Sequence, residues 1–248
     1  MKISTGWWSP HVRQRVNVAR WGTAGQPVLL FPTAGGDCEE VERFHIMKVL
    51  DPLLSAGRVR VYSCDSVAGR TWIDGESKGS HRAWMQGQFD AFLAKELVPA
   101  IRTDCHDPAV EVITAGASIG AFNALAAICR HPDLFSKAVC MSGTYDLTRW
   151  MEGEHTLDYH YASPLHFLPS LPDSPQLARL RRRFIVLATG DGDYEAPWES
   201  WRVGSVLGAK GIPNRVDSWG PTYRHDWTTW RAMLPKYLDE LVPAAQAV

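Results

Sequence analysis

A β-branched run, Val110-Glu111-Val112-Ile113-Thr114, leads into Gly116-Ala117-Ser118-Ile119-Gly120, and Ala121-Phe122-Asn123-Ala124-Leu125-Ala126-Ala127-Ile128 follows at once. The first stretch has the residue types of a strand, and the last is rich in helix formers. Strand, G-x-S-x-G and helix in that order predict a nucleophile elbow, a sharp turn that forces the serine into a strained conformation and presents its hydroxyl at the end of a sheet. The glycines let neighbouring chain pass where a Cβ would clash, and a helix N-terminus behind Ser118 favours developing negative charge. The pentapeptide alone also fits an ordinary strand-to-helix turn; the strand and helix around it favour the elbow.

With 248 residues, 45% hydrophobic and 21% charged, the chain is long and apolar enough for one α/β domain over 1–248. Strand-like runs at 28–31, 59–63, 111–115, 138–142, 184–188 and 215–219 alternate with helix-like runs at 41–54, 81–101, 121–129, 200–209 and 228–241, and a strand or hairpin near 13–21 is expected at one edge. This alternation predicts a mostly parallel sheet with helices on both faces and a site at the carboxyl ends of its strands. Segment 146–183 breaks the rhythm with prolines at 164, 169, 172 and 175 and with Trp150, Tyr159, Tyr161 and Phe167; it is expected to be a short cap insertion over the site.

The formal net charge of −1 gives no electrostatic case for a nucleic acid or an anionic membrane as partner. No apolar run approaches the roughly 20 residues that span a bilayer, and residues 1–10 lack the apolar core of a secretory signal. Cys38, Cys64, Cys105, Cys129 and Cys140 are odd in number and form no C-x-x-C pair, which predicts reduced thiols in a cytoplasmic protein. Eleven tryptophans are many for this length: most are read as packing residues, and Trp7 and Trp8 as cover for a sheet edge or a partner surface.

A serine hydroxyl is a weak nucleophile until a base takes its proton, and a carboxylate that orients the base improves it. In α/β-hydrolases the acid and the histidine follow the serine in that order. After the run 184–188 comes Thr189-Gly190-Asp191-Gly192-Asp193-Tyr194-Glu195, and after 215–219 comes Gly220-Pro221-Thr222-Tyr223-Arg224-His225-Asp226. His225 is the predicted base. Asp193 is the predicted acid from its spacing to Gly190, with Asp191 and then Glu195 as alternatives. Asp226 is read as structural, anchoring its own loop. The oxyanion hole needs two backbone N–H donors; Ile119, just after the nucleophile, is one, and Ala34 or Gly35 in the small-residue loop Pro32-Thr33-Ala34-Gly35-Gly36 is the other. The other histidines form no metal-ligand pattern, His155 and His160 with Asp158 included. Ser142 lacks elbow neighbours and is read as a strand end at the floor of the site. Arg70 and Arg149 are read as solvated, with an acidic substrate group as their alternative partner.

Taken together, Leu29-Leu30-Phe31-Pro32-Thr33-Ala34-Gly35-Gly36-Asp37, Gly116-Ala117-Ser118-Ile119-Gly120-Ala121, His131-Pro132-Asp133-Leu134-Phe135 and His225-Asp226-Trp227-Thr228-Thr229-Trp230 resemble the Putative esterase family of α/β-hydrolases, which includes esterase D, feruloyl esterases and the antigen 85 mycolyltransferases. In that family the histidine of a His-Asp-Trp stretch followed by a further Trp is catalytic, which the resemblance carries to His225. Many relatives have His-Gly where this chain has Pro32-Thr33. The resemblance implies an α/β-hydrolase fold and a serine esterase that acts without cofactor or metal on a small-molecule ester through an acyl-enzyme. An acyltransferase with an alcohol acceptor and a non-catalytic binding protein on the same fold are the alternatives.

Overall fold

The computed structural model describes residues 1–244; the last four residues of the predicted domain, 245–248, lie outside the described residues. The apolar runs form β1 (Lys2–Ser9), β2 (Gln14–Trp21), β3 (Gln26–Phe31), β4 (Val59–Cys64), β5 (Val112–Ala117), β6 (Phe135–Met141), β7 (Phe184–Thr189) and β8 (Asn214–Ser218). They lie in one sheet in the order β1-β2-β4-β3-β5-β6-β7-β8. The six from β3 to β8 run parallel, and the β1–β2 hairpin joins antiparallel along β4. All six predicted parallel strands are present, within a few residues at their ends. The predicted edge strand near 13–21 is β2, and β1 outside it holds Trp7 and Trp8. Trp7 packs on Phe92 and donates to Glu96, so it covers the sheet, whereas Trp8 remains exposed.

Helices cover both faces because the buried parallel strands are apolar on both. The predicted helix 41–54 is three short ones, α1 (Glu40–Arg43), α2 (Ile46–Val49) and α3 (Asp51–Ser55). His45 breaks it with a left-handed φ of 64°, and Pro52 opens the third. After β4 come α4 (Val67–Ile73) and α5 (Gly79–Phe92), which continues through a π-helical stretch, Leu93–Leu97, into α6 (Val98–Asp104). Pro99 lacks the N–H that an α-helix would aim at the Lys95 carbonyl, and the helix widens there. Glu96, within the wide turn, accepts from Trp7, Ser9 and pairs with His11 Nδ1. α7 (Ile119–Arg130) follows β5.

Segment 146–183 folds into a 3₁₀ turn, Thr148–Met151, and the helices α8 (Leu157–Ala162), α9 (Pro164–Phe167) and α10 (Pro175–Leu180). These pack on α5 and α7. α11 (Pro197–Ala209) and α12 (Trp227–Leu241) complete the chain. One core lies between the sheet and α5, α6, α7 and α11, with Phe89, Phe92, Leu125, Ile128 and Leu207; the other lies under α1–α3 and α12, with Val41, Leu50, Met233 and Tyr237.

A buried cation fastens the insertion. Arg82 of α5, 4% exposed, donates through Nη1 to the Trp150 carbonyl at 2.6 Å and to Glu152 at 2.9 Å, and through Nη2 to the Asp74 carbonyl at 2.6 Å. Glu154 accepts from the Ser80 N–H at the start of α5. Two turns on either side of α5 are thus held by one guanidinium, and no apolar side chain can replace its donors. Arg82→Met is expected to lower stability by about 3 kcal/mol. In the same variant, amide hydrogen exchange should quicken first over residues 148–154 and 73–76; unchanged exchange there would show that the guanidinium does not hold these turns.

Candidate active site

The sharp turn predicted at Ser118 is present. Ser118 has φ 58° and ψ −124°, a conformation that costs a residue with a Cβ on the order of 1–3 kcal/mol. Its N–H donates to the Met141 carbonyl at 3.0 Å, and its own carbonyl accepts from Thr144 at 3.2 Å and Ala121 at 3.1 Å. The motif's glycines act through space rather than through φ. A Cβ on Gly116 would collide with the Gly120 carbonyl, and a Cβ on Gly120 would stand 2.7 Å from both the Phe31 and the Pro32 carbonyl oxygens. The end of β5, the first turn of α7 and the end of β3 can meet only if both positions are bare. The half-buried Ser118 side chain is left accessible at the head of α7.

Ile119 is the first residue of α7, so its N–H has no acceptor within the helix. Ile119 and Ala34 pack in one apolar cluster with Trp72, Phe122, Leu147 and Met151, and Trp150 packs against it. Ile119 and Ala34 thus border the same cluster, while Gly35 is exposed beside Ile73. Thr33 in the same loop has its own anchor: buried Glu40 accepts from its N–H and its hydroxyl, both at 2.7 Å. Gly69 of α4 lies against the same loop, where a Cβ would approach the Ala34 Cα to 3.1 Å.

The acid and base loops are joined backbone to backbone. Asp191 N–H donates to the Gly220 carbonyl, Gly192 N–H to that of Tyr223, and His225 N–H to that of Asp193 at 3.0 Å. A Cβ on Gly190 would strike the Tyr223 carbonyl. The G-D-G-D spacing is explained by this contact and not by the position of the acid.

The three carboxylates weighed as the acid lie in different surroundings. The Asp193 side chain is 64% exposed and stands 3.4 Å from Arg224 Nε. Asp191 accepts from Ser218 Oγ at 2.7 Å at the end of β8. Tyr194, with φ 64°, reverses the direction of the chain, so that the carboxylate two residues beyond Asp193 turns inward. That carboxylate is Glu195, 1% exposed, with Oε2 4.0 Å from His225 Nδ1. At this separation the carboxylate faces the ring without a direct hydrogen bond to it. Glu195 Oε1 accepts from Ser142 Oγ at 2.5 Å, and Trp230 Nε1 donates to the same hydroxyl at 3.0 Å. The Trp230 ring stands edge-on to the His225 ring, 5.2 Å between centroids at 85°.

Ser142, read from the sequence as a strand end at the floor of the site, lies just past β6, between the strands that lead to Ser118 and to Glu195. Asp226 is structural, as predicted: it caps α12 by accepting from Thr229 N–H at 2.9 Å. Arg149 lies over the Trp150 ring, 3.8 Å from its centroid, and Arg70 lies 4.0 Å from Asp65. A half-open cavity of about 380 Å³ between α7 and the insertion, lined by Arg130, His160, Tyr161 and Phe167, includes none of the elbow, acid-loop or His225 residues.

Burial pushes the His225 imidazole below its ordinary pKa of 6.5, and the Glu195 and Asp226 carboxylates pull it partly back. Near pH 7 the ring is therefore neutral and able to accept a proton. The ends of β5, β6, β7 and β8, neighbours in the sheet, present in turn a half-buried serine, a bonded hydroxyl, a buried carboxylate and a neutral histidine.

The chain matches the sequence profile of the family described as Putative esterase over residues 56–241. It belongs to that family. The chain is accordingly a carboxylic-ester hydrolase. No curated protein sequence matches it. Among solved structures, a ferulic acid esterase is 17% identical with a TM-score of 0.75, over 99% of this chain and 98% of that one. An S-formylglutathione hydrolase from Agrobacterium tumefaciens is 10% identical with a TM-score of 0.75, over 98% and 95%. Mycobacterium tuberculosis MPT51 is 17% identical with a TM-score of 0.72, over 98% of each chain. At these identities the likeness is one of fold, and the fold is that of the α/β-hydrolases. Among the described residues of this esterase no helix is long and apolar enough to cross a membrane.

Nuclear magnetic resonance titration of the histidine rings is expected to place the His225 midpoint below 6.5, and Glu195→Gln should lower it further by removing a charge that favours the imidazolium. An unchanged or higher midpoint in Glu195→Gln would show that the carboxylate does not act on this ring.

Proposed function

We propose that this esterase hydrolyses small-molecule carboxylic esters through an acyl-enzyme on Ser118, with His225 as general base and Glu195 as the acid that orients it. The observation that carries this reading is the buried Glu195 carboxylate facing His225, two strand ends from a serine held in a strained elbow. Ser118 Oγ attacks the ester carbonyl carbon while His225 takes its proton. The negative charge that develops on the carbonyl oxygen is met by the Ile119 and Ala34 N–H groups, with Gly35 as the neighbouring donor. Glu195 stabilises the imidazolium, which then protonates the departing alcohol. Water, deprotonated by His225, attacks the acyl carbon, and the carboxylic acid leaves as Ser118 regains its proton.

The Thr148–Met151 turn forms one wall, since Trp150 and Met151 share the cluster that holds Ile119 and Ala34. We propose that segment 146–183 shapes the acyl pocket from this side. Five cysteines, none in a disulfide, fit a reducing compartment and support a cytoplasmic location.

Intact-mass spectrometry after treatment with a fluorophosphonate is expected to show one adduct on the wild type and none on Ser118→Ala. With an ester panel, Ser118→Ala and His225→Ala should each lose on the order of 10⁴ in kcat, and no more when combined. Glu195→Gln should lose up to about 10⁴, whereas Asp193→Asn and Asp191→Asn should stay within about twofold of wild type. A greater loss in Asp193→Asn than in Glu195→Gln would return the acid's role to Asp193.

A further inference from the structure

Ser142 follows directly on β6, the strand between those that lead to Ser118 and to Glu195. Its φ of 45° places a residue with a Cβ in the left-handed region, which non-glycine residues seldom occupy without a reason. Nothing about the turn itself requires a hydroxyl. The backbone N–H donates to the Ala188 carbonyl at 2.7 Å, and any residue would supply that bond.

The side chain is different. Ser142 is 3% and Trp230 4% exposed, so their polar atoms are shielded from bulk water. An indole N–H can only donate. Its 3.0 Å bond to Ser142 Oγ therefore occupies a lone pair of the hydroxyl, and the hydroxyl proton is directed along the 2.5 Å bond to Glu195 Oε1. The polarity of the chain is fixed from end to end: indole N–H to hydroxyl, hydroxyl to carboxylate. One carboxylate oxygen is held by this bond. The other, Oε2, has a longer contact from Thr189 Oγ1 at 3.3 Å and faces His225 Nδ1. The ring of Trp230 closes the circuit by packing edge-on against that histidine.

We infer that Ser142 and Trp230 form a positioning pair for the triad acid, holding Oε1 of Glu195 so that Oε2 is aimed at His225. The inference rests on the reading of Ser118, His225 and Glu195 as the triad. It assigns no contact with substrate to either residue; both act through Glu195. The arrangement also fits the choice of glutamate. A side chain anchored at one carboxylate oxygen by the neighbouring strand needs reach, and glutamate supplies one more methylene than aspartate.

Ser142→Gly tests this directly, because glycine adopts φ 45° without strain and keeps the Ala188 bond, while the hydroxymethyl group that bonds Glu195 and Trp230 is lost. Trp230→Phe removes the N–H and keeps a ring against His225. In Ser142→Gly, kcat is expected to fall about 10- to 100-fold, the worth of one hydrogen bond to a charged group, with KM within about twofold of wild type. Fluorophosphonate labelling should slow by a similar factor while still reaching one adduct per chain. Trp230→Phe should shift both in the same direction, and the double variant should be little slower than Ser142→Gly, since the two residues act in series. The His225 Nδ1 proton resonance should move upfield in both. Wild-type kcat and an unmoved resonance in Ser142→Gly would overturn the pairing. If the wild type itself takes no probe and hydrolyses no ester, the triad reading has failed. The Nδ1 resonance then still decides the pairing alone: a shift in Ser142→Gly supports it and an unmoved signal rejects it.

Discussion

Everything in the site hangs on backbone meeting backbone at the end of β5. Gly116 faces the carbonyl of Gly120, and Gly120 in turn faces the carbonyls that end β3. No side chain fits in either gap. This contact fixes where α7 begins, and with it where Ser118 stands and which way the Ile119 N–H points. It also sets the distance to the loop that holds Ala34. A second contact of the same kind, Gly190 and Gly192 against the carbonyls of residues 221–223, joins the acid loop to the histidine loop. Between the two, the strand ends are brought together by close approach of main chain, and the chemistry is carried by a few side chains placed on top.

The sheet and the elbow were legible because their signals are local. β-branched runs, a small-residue turn and a helix-rich stretch each declare themselves within a few residues, and six parallel strands and the nucleophile turn followed from them. The break in helix 41–54 was less legible, since it depends on His45 taking a left-handed conformation. α4 is absent from the predicted helices because its seven residues are too few to show a period, and its Gly69 lies close to Ala34. The setting of the three acid-loop carboxylates was not legible for a related reason. Spacing from Gly190 pointed to Asp193, but a single left-handed residue, Tyr194, exchanges which neighbour faces in and which faces out. Nothing in the letters Asp-Tyr-Glu says which carboxylate is buried; in the fold it is Glu195, beside Ser142.

The electrostatics of His225 are a contest between two effects of the same location. The burial that keeps the ring neutral also weakens screening of the Glu195 charge, which favours the protonated ring. A general base needs both: a neutral form to start from and a stabilised cation to pass through. A solvent-exposed aspartate beside Arg224 offers neither the low dielectric nor an undivided charge, and Asp193 sits in that setting.

The π-helical stretch at Leu93–Leu97 has a meaning of its own for the register of the long helix that backs the sheet. One extra residue in a turn shifts all that follows by about 100° around the helix axis relative to an unbroken α-helix. Val98 and Ile101, both buried, face the core only because that residue is present. The chain here tolerates neither fewer nor more residues without turning α6's apolar face toward water. A length change of one, harmless in most surface segments, would at this point rewrite the pattern of inside and outside for an entire helix, together with the Glu96 contacts that tie the edge hairpin to it.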